Sequence, residues 1–67
     1  MTTHVPSIRE HEVRLLLRDA IRHQRDNGRP LTKECISFEM GYAHSTLNSW
    51  LRYYQIDLQK CIEELAP

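Results

Sequence analysis

Residues 33–52, KECISFEMGYAHSTLNSWLR, decide the fold, because they contain two short amphipathic segments joined at a glycine. The first segment runs to Met40, and Gly41 follows at the place where a helix commonly ends in a left-handed residue. The second segment runs from about His44 to Tyr54. So short a link predicts two helices that pack against each other across a tight turn.

The second of these segments has an apolar side and a polar side when its residues are placed about 100° apart around an axis. The apolar side consists of Leu47, Trp50, Leu51 and Tyr54. The polar side consists of Ser45, Asn48, Ser49 and Arg52, with His44 and Tyr53 flanking it and Thr46 near its edge. An ordinary solvated helix face is richer in lysine and glutamate, so this set indicates a contact surface.

Further helices are predicted on both sides of this pair. Residues 1–6 form a loose arm, and a first helix starts at Ser7, because Ser7 and Glu10 have the spacing of a capping box. Its core-facing stripe consists of Val13, Leu16, Leu17, Ala20, Ile21 and Gln24. This helix ends near Gly28, and Thr32 caps the next one. A C-terminal helix over residues 57–65 has an apolar side made of Leu58, Cys61, Ile62 and Leu65. The chain is thus predicted to be a single all-α domain, residues 1–67.

The charge of the chain is balanced overall but uneven along its length. Residues 1–33 hold seven Arg and Lys against four Asp and Glu, whereas residues 34–67 hold two against five. A net charge of zero does not fit a generic coat for nucleic acid. The N-terminal half can nevertheless meet phosphates while the acidic C-terminal helix faces away.

Several classes of protein are not expected from this composition. The chain has no run of about 18 apolar residues that would cross a membrane and no secretory signal, so we expect a cytoplasmic protein. Cys35 and Cys61 lie in separate predicted helices, and we expect both to be reduced and half-buried. The four histidines do not stand at zinc spacing from the cysteines. We therefore expect no metal, no cofactor, no small-molecule ligand and no enzymatic activity.

The central stretch resembles the helix-turn-helix family of DNA-binding proteins. The family pattern asks for a small residue in the first helix of the pair, a glycine at the turn and apolar residues at set intervals. The matching residues are Ile36, Ser37, Met40, Gly41, Tyr42, Leu47 and Trp50. The resemblance implies a trihelical helix-turn-helix core to which the C-terminal helix is added.

The turn and the third helix are also similar to the C-terminal DNA-binding segment of Fis-type proteins. The shared residues are Met40-Gly41-Tyr42, Thr46-Leu47, Leu51, Tyr54 and Ile56. Gln55 stands where the Fis pattern has a glycine, and His44-Ser45 stands where it often has an arginine. The C-terminal helix is a third departure, since Fis-type segments have no helix after the motif.

The resemblance implies that the polar side of the third helix lies in the major groove of double-stranded DNA. Base readout would be carried by Ser45, Asn48, Ser49 and Arg52. Of these, Arg52 can form a bidentate contact to guanine and Asn48 one to adenine, each discriminating by about 1–3 kcal/mol. Contacts to the DNA backbone would come from Arg29, Lys33, His44, Thr46, Tyr53, Arg14, Arg18 and Arg22.

The arginines of the first helix have two interpretations. They follow one another along a stripe at Arg14, Arg18, Arg22 and Arg25. They can contact phosphates, or they can form a solvated face that is partly neutralised by neighbouring carboxylates. Like charges four residues apart slightly destabilise a helix, which favours an anionic partner.

Two functions stay open at this point. The first is a bacterial, phage or plasmid DNA-binding protein that acts in transcription regulation or plasmid maintenance, with affinity supplied by a homodimer or by tandem binding on repeated sites. The second is a small protein-interaction module that binds a polymerase subunit, a toxin or another regulator, as the zero net charge would allow. Phe38 and Leu15 lie off the apolar stripes, and either the C-terminal helix covers them or they mark a protein interface.

Overall fold

A computed structural model describes residues 6–65, and over this range the chain is all-helical. The helices are α1 (Glu10–Asp26), α2 (Lys33–Met40), α3 (His44–Tyr53) and α4 (Leu58–Leu65). The predicted all-α class and the predicted order of helices are confirmed. Helix α1 packs against α2 and α4, and α2 packs against α3. Of the predicted arm at residues 1–6, residues 1–5 lie outside the described residues. In the described part of the chain, no helix is both long and apolar enough to cross a membrane.

One apolar core joins the first three helices and the link that follows them. Its buried members are Val13, Leu17, Ala20, Ile21, Ile36, Leu47, Trp50, Leu51 and Ile56. Gln24 is buried at the end of the predicted α1 stripe, whereas Leu16 is only half-buried. Trp50 belongs to this core. The ring of Tyr42 packs edge-on against it, with the two ring centroids 4.7 Å apart. The helical periodicity of the sequence therefore predicted the core-facing sides of α1 and α3, although Tyr54, predicted on the apolar side of α3, is only half-buried.

The predicted start of α1 is wrong. The helix begins at Glu10, its N-cap residue is Arg9, and Arg9 makes no side-chain capping hydrogen bond. The reason is a long-range contact, because Ile8 packs partly buried against the core and its carbonyl oxygen accepts a hydrogen bond from the Tyr54 hydroxyl at 2.5 Å. This contact holds the chain before Glu10 outside the helix, so Ser7 cannot act as the cap.

Each of α1, α2 and α3 is followed by a residue with left-handed backbone conformation. These residues are Gly28 with φ of 67°, Gly41 with φ of 84° and Gln55 with φ of 54°. In each case the next backbone N–H turns back to a carbonyl five residues earlier, as the Ile56 N–H does to the Leu51 oxygen at 2.9 Å. Glycine adopts this conformation without steric cost, whereas glutamine adopts it at a steric cost. The sharp reversals therefore come from glycine at two places and from a strained residue at the third.

The starts of α2, α3 and α4 are capped differently. Thr32 caps α2, its hydroxyl oxygen accepting a hydrogen bond from the Cys35 N–H at 3.2 Å. Asp57 caps α4 in the same way, accepting from the Lys60 N–H at 3.2 Å. Helix α3 starts after Ala43, which has no side-chain capping group. Its first N–H groups are thus left without the side-chain acceptor that the other two helices have.

Helix α4 is an outer layer rather than part of the core. Its apolar residues pack against the core but are only partly buried. Cys35 and Cys61 are both free and half-buried, as predicted. Burial raises the pKa of the Cys61 thiol, and the Arg14 guanidinium opposes this shift only in part. The thiol of Cys61 is therefore neutral, and Cys61 behaves as a small apolar residue on the side of α4 that packs against the core.

Candidate nucleic-acid interface

The side of α3 that faces away from the core carries the residues predicted to read bases. Ser45, Ser49 and Arg52 are exposed on it, and Asn48 is half-buried. The helix contains no Asp or Glu, since its sequence is HSTLNSWLRY. Its exposed side is therefore a polar surface without negative charge.

Lys33 joins this surface from the start of α2. Its ammonium group donates a hydrogen bond of 3.1 Å to the side-chain oxygen of Asn48. This bond explains why Asn48 is half-buried rather than fully exposed. The amide oxygen of Asn48 can still accept a second hydrogen bond, and its NH₂ group keeps both donors. Asn48 therefore retains the donor and acceptor that a bidentate contact to adenine requires.

Two hollows lie on either side of a ridge on α3. The first, of about 510 Å³, lies between the starts of α2 and α4, and its polar rim includes Lys33, Asn48, Arg52 and Gln59. The second, of about 590 Å³, is bounded by Thr46, Ser49 and Tyr53, and Pro6 lies at its side. Asn48 and Arg52 line both hollows, so these two side chains form the ridge between them.

The electrostatic balance of this surface is weakly positive. The charged residues that line the two hollows are Lys33, Arg52 and Asp57. The Asp57 carboxylate is already engaged in capping α4. The first turn of α3, at His44, Ser45 and Thr46, adds the positive end of a helix dipole. The N-cap residue Ala43 has no side chain that could cap these N–H groups. The surface therefore offers two cations and a set of oriented N–H donors to an anion.

Three of the predicted backbone-contacting arginines lie elsewhere, on α1. Arg14 pairs with Glu10 at 3.0 Å, and Arg18 lies 4.0 Å from the Asp19 carboxylate. Arg22 is exposed. These three arginines line neither of the two hollows beside α3. Exposed ion pairs of this kind hold their side chains only weakly, so the prediction that this stripe contacts phosphates stays a prediction.

The fourth arginine of the stripe has a structural contact. Arg25 donates a hydrogen bond of 2.6 Å to the carbonyl oxygen of Leu65, and it also pairs with Asp26 at 3.1 Å. It thereby ties the end of α1 to the end of α4. Arg25 acts in the packing of α4, which the sequence pattern did not reveal.

Arg29, also predicted to contact the DNA backbone, lies at the junction of α1 and α2. Its guanidinium is 3.7 Å from the Glu39 carboxylate, and the same carboxylate oxygen is 2.9 Å from the His23 imidazole. The structure brings Lys33, His44, Thr46 and Tyr53 to the neighbourhood of the α3 surface, but it does not place Arg29 with them.

Gln59 is a residue of this surface that the sequence did not point to. It lies in the first turn of α4 and lines the first hollow together with Asn48 and Arg52. The signal was the short link between α3 and α4, because only four residues separate these helices and the start of α4 must therefore stay near the end of α3. The side chain of Gln59 can donate and accept hydrogen bonds at the edge of the ridge.

Comparison of the chain with protein-family models, with curated proteins and with solved structures gives no match. Among residues 6–65, no group of three or more His, Cys, Asp or Glu side chains is arranged to hold a metal ion. The chemistry of the α3 surface is therefore the ground on which a function is proposed.

Proposed function

We propose that α2, the turn at residues 41–43 and α3 form a helix-turn-helix unit, and that α3 lies in the major groove of double-stranded DNA. The observation that carries this proposal is the hydrogen bond from Lys33 to Asn48, which sets the cationic start of α2 beside the polar side of α3. In helix-turn-helix proteins the second helix of the pair contacts base edges while the helix before it crosses the DNA backbone. In this arrangement Lys33 contacts a phosphate, and Asn48 and Arg52 contact the bases.

The packing of α2 against α3 supports this proposal. Ser37 is buried on α2, and its hydroxyl group donates a hydrogen bond of 2.8 Å to the Glu34 carbonyl oxygen of the same helix. A small side chain that satisfies its own polar group allows a neighbouring helix to approach closely. Gly41 supplies the left-handed residue that reverses the chain toward α3.

The spacing of the two ridge residues fits base readout. Asn48 and Arg52 are four positions apart, so they are separated by roughly 6 Å along the helix axis. That distance is close to two base-pair steps of about 3.4 Å each. An arginine contact to guanine and an asparagine contact to adenine would then fall on nearby base pairs of one short site.

The start of α3 suits a phosphate. Its first three N–H groups belong to His44, Ser45 and Thr46, and no side chain of the N-cap residue accepts from them. Phosphate groups bind at helix N-termini because the free N–H groups and the helix dipole act together. A phosphate here would fix the register of α3 in the groove, while Ser45 and Ser49 face the bases.

The setting that we propose is a bacterial, phage or plasmid regulator of transcription or of plasmid maintenance, located in the cytoplasm. One copy of this surface covers only a short site. Helix-turn-helix proteins reach useful affinity by placing two copies on half-sites about one helical turn apart. Binding as a homodimer, or in tandem on repeated sites, is therefore part of the proposal.

The test is a selection from a random duplex library followed by footprinting, run in parallel with the chain and with an Asn48→Ala, Arg52→Ala double variant. The expected result is a short enriched motif for the chain, protected in the footprint, and loss of that motif for the variant. Enrichment of the same motif by both proteins would show that α3 is not the helix that contacts the bases. Absence of any enrichment would overturn the proposal.

A protein-interaction module is the second candidate, with a polymerase subunit, a toxin or another regulator as partner. The observation that favours it is Phe38, which is 85% exposed on α2. A salt titration separates the two candidates. Binding through several cations weakens steeply as salt rises, with a slope of about −0.9 per phosphate contact, whereas an apolar interface is much less sensitive to salt.

A further inference from the structure

Among the large apolar residues that the structure describes, Phe38 has the most exposed side chain. It is 85% exposed, whereas Leu15, Tyr42 and Tyr53 lie between 42% and 45%. Phe38 follows Lys33 by five positions on α2, so it points about 140° around the helix axis from it. Phe38 is therefore turned away from the α3 surface, and helix α4 does not cover it. Together with the depression beside it, this ring forms an apolar patch of the kind that marks a contact with another molecule.

Next to this side chain lies a shallow depression of about 330 Å³ at the junction of α1 and α2. Phe38 forms one of its walls, and the other lining residues are Gln24, Arg29, Pro30, Glu34 and Cys35. Gln24 is 97% buried, its NH₂ group donates to the Cys35 carbonyl oxygen, and its side-chain oxygen has no hydrogen-bond partner among the described residues. The depression thus has an apolar wall formed by Phe38, and Gln24 is one of its lining residues.

We propose that this Phe38 surface, made of Phe38 and the depression beside it, binds a second copy of the same chain. A projecting ring and a recess on one surface are what a two-fold contact needs, because each copy inserts its ring into the recess of the other. Phe38 of one molecule then packs against Pro30 and Cys35 of its partner. An aromatic ring in such a pocket is the kind of anchor that dominates small interfaces.

The charges around the recess favour a second copy over another partner. Arg29 and Glu34 both line it, so the rim carries one charge of each sign. A two-fold axis beside the recess, which lets each Phe38 ring enter the recess of the other molecule, brings Arg29 of one molecule toward Glu34 of the other, twice per contact. Two copies also do not repel each other as wholes, since the net charge of the chain is zero. A duplex DNA partner would instead meet the Glu34 and Glu39 carboxylates of α2.

The expected self-association is weak. A stable interface buries about 800 Å² on each partner, and a handful of residues around one ring cover less than that. The accessible surface of the described chain is 4870 Å², so a full-size interface would take up a sixth of it. We therefore expect monomers at micromolar concentration and a growing dimer population toward millimolar concentration.

The test is sedimentation equilibrium without DNA over that concentration range, on the chain and on Phe38→Glu, with Leu15→Glu as the matched control. Leu15 lies on α1 outside the depression. It is the control because it is a large aliphatic side chain that is also exposed, at 45%. Phe38→Glu should weaken dimerisation at least tenfold, and Leu15→Glu should leave it unchanged. Equal behaviour of the two variants, or a chain that stays monomeric to millimolar concentration, would overturn the proposal.

A charge exchange tests the two-fold arrangement itself. Glu34→Arg and Arg29→Glu should each weaken dimerisation, and the double exchange Arg29→Glu, Glu34→Arg should restore it, because each copy then again presents opposite charges to its partner. No restoration in a double variant with unchanged thermal midpoint would rule out the two-fold pairing. Since all these measurements are made without DNA, their failure would remove the homodimer from the proposed function but leave DNA reading by α3, with tandem binding on repeated sites, to its own test.

Discussion

The hydroxyl group of Tyr54 donates a hydrogen bond of 2.5 Å to the carbonyl oxygen of Ile8, 46 positions earlier in the chain. Tyr54 directly follows α3, and Ile8 directly precedes Arg9, the N-cap residue of α1. The bond therefore ties the end of the proposed reading helix to the segment that leads into the longest helix. It is also the contact that delays the start of α1 to Glu10.

Replacing Tyr54 with Phe should lower the free energy of unfolding by about 1 kcal/mol, because the half-buried Ile8 carbonyl loses its partner while the ring is kept. Urea denaturation followed by circular dichroism measures this change. Tyr53→Phe is the control, since Tyr53 is 42% exposed and its ring packs edge-on against Tyr54 at 5.0 Å. Equal stability losses in the two variants would show that the bond to Ile8 contributes nothing specific.

Gln55 should be replaceable by glycine with a gain in stability. Its φ of 54° is left-handed, a conformation that costs a residue with a side chain about 1–2 kcal/mol. Part of this gain is lost to the greater freedom of glycine in the unfolded chain, so we expect an increase of about 0.5–1 kcal/mol for Gln55→Gly.

Gly41→Ala is the converse test of the same principle. A Cβ atom at Gly41 would meet nothing within 4 Å, so the cost is one of backbone conformation alone. We expect a loss of about 1 kcal/mol at φ of 84°. Thermal unfolding of both variants measures the effects, and a destabilised Gln55→Gly or an unchanged Gly41→Ala would refute the assigned strain.

Ala43 separates stability from DNA binding. Asp or Ser at this position would cap α3 and raise the free energy of unfolding by about 0.5–2 kcal/mol, since the backbone of Ala43 is already extended as an N-cap requires. If a phosphate binds the first turn of α3, the carboxylate of Ala43→Asp competes with it and repels it.

The expected outcome is a more stable protein with lower affinity for duplex DNA, measured by fluorescence anisotropy beside the unfolding curve. Ala43→Ser is the neutral control and should stabilise the fold with a smaller loss of affinity. Unchanged affinity in Ala43→Asp would mean that the start of α3 is not a phosphate site.

Features set by neighbouring residues were predictable from the sequence. The apolar stripes depend on helical spacing, the end of α2 depends on Gly41, and the caps at Thr32 and Asp57 depend on residues three positions away. Each of these is a local interaction. The pattern at Ser7 has the same local form, yet it fails, because a contact with Tyr54 outweighs one capping bond.

The parts of the candidate site that escaped prediction rest on contacts between distant residues. The bond between Lys33 and Asn48 spans 15 positions, and it decides how far Asn48 is exposed. The pairing of Arg29 with Glu39 likewise depends on how α1 meets α2. A stripe of like charges gives the residues but not their partners. For that reason the sequence could propose Arg29 and Lys33 equally, and only the packing of the helices distinguishes them.

The reading role of α3 is tested most directly at Arg52. The side chain is exposed, so Arg52→Ala should leave the stability of the fold unchanged. It should lower affinity for the selected site by about 1–3 kcal/mol, or roughly five- to 150-fold, and relax the preference at one base pair.

Lys33→Ala should instead weaken binding to all sequences alike and reduce the salt slope by about 0.9, as expected for one lost phosphate contact. Lys60→Ala removes an exposed cation from α4, outside both hollows, and should change neither quantity. Should Arg52→Ala and Lys60→Ala bind the selected and a scrambled duplex with the same affinities, α3 would not be the helix that reads the bases.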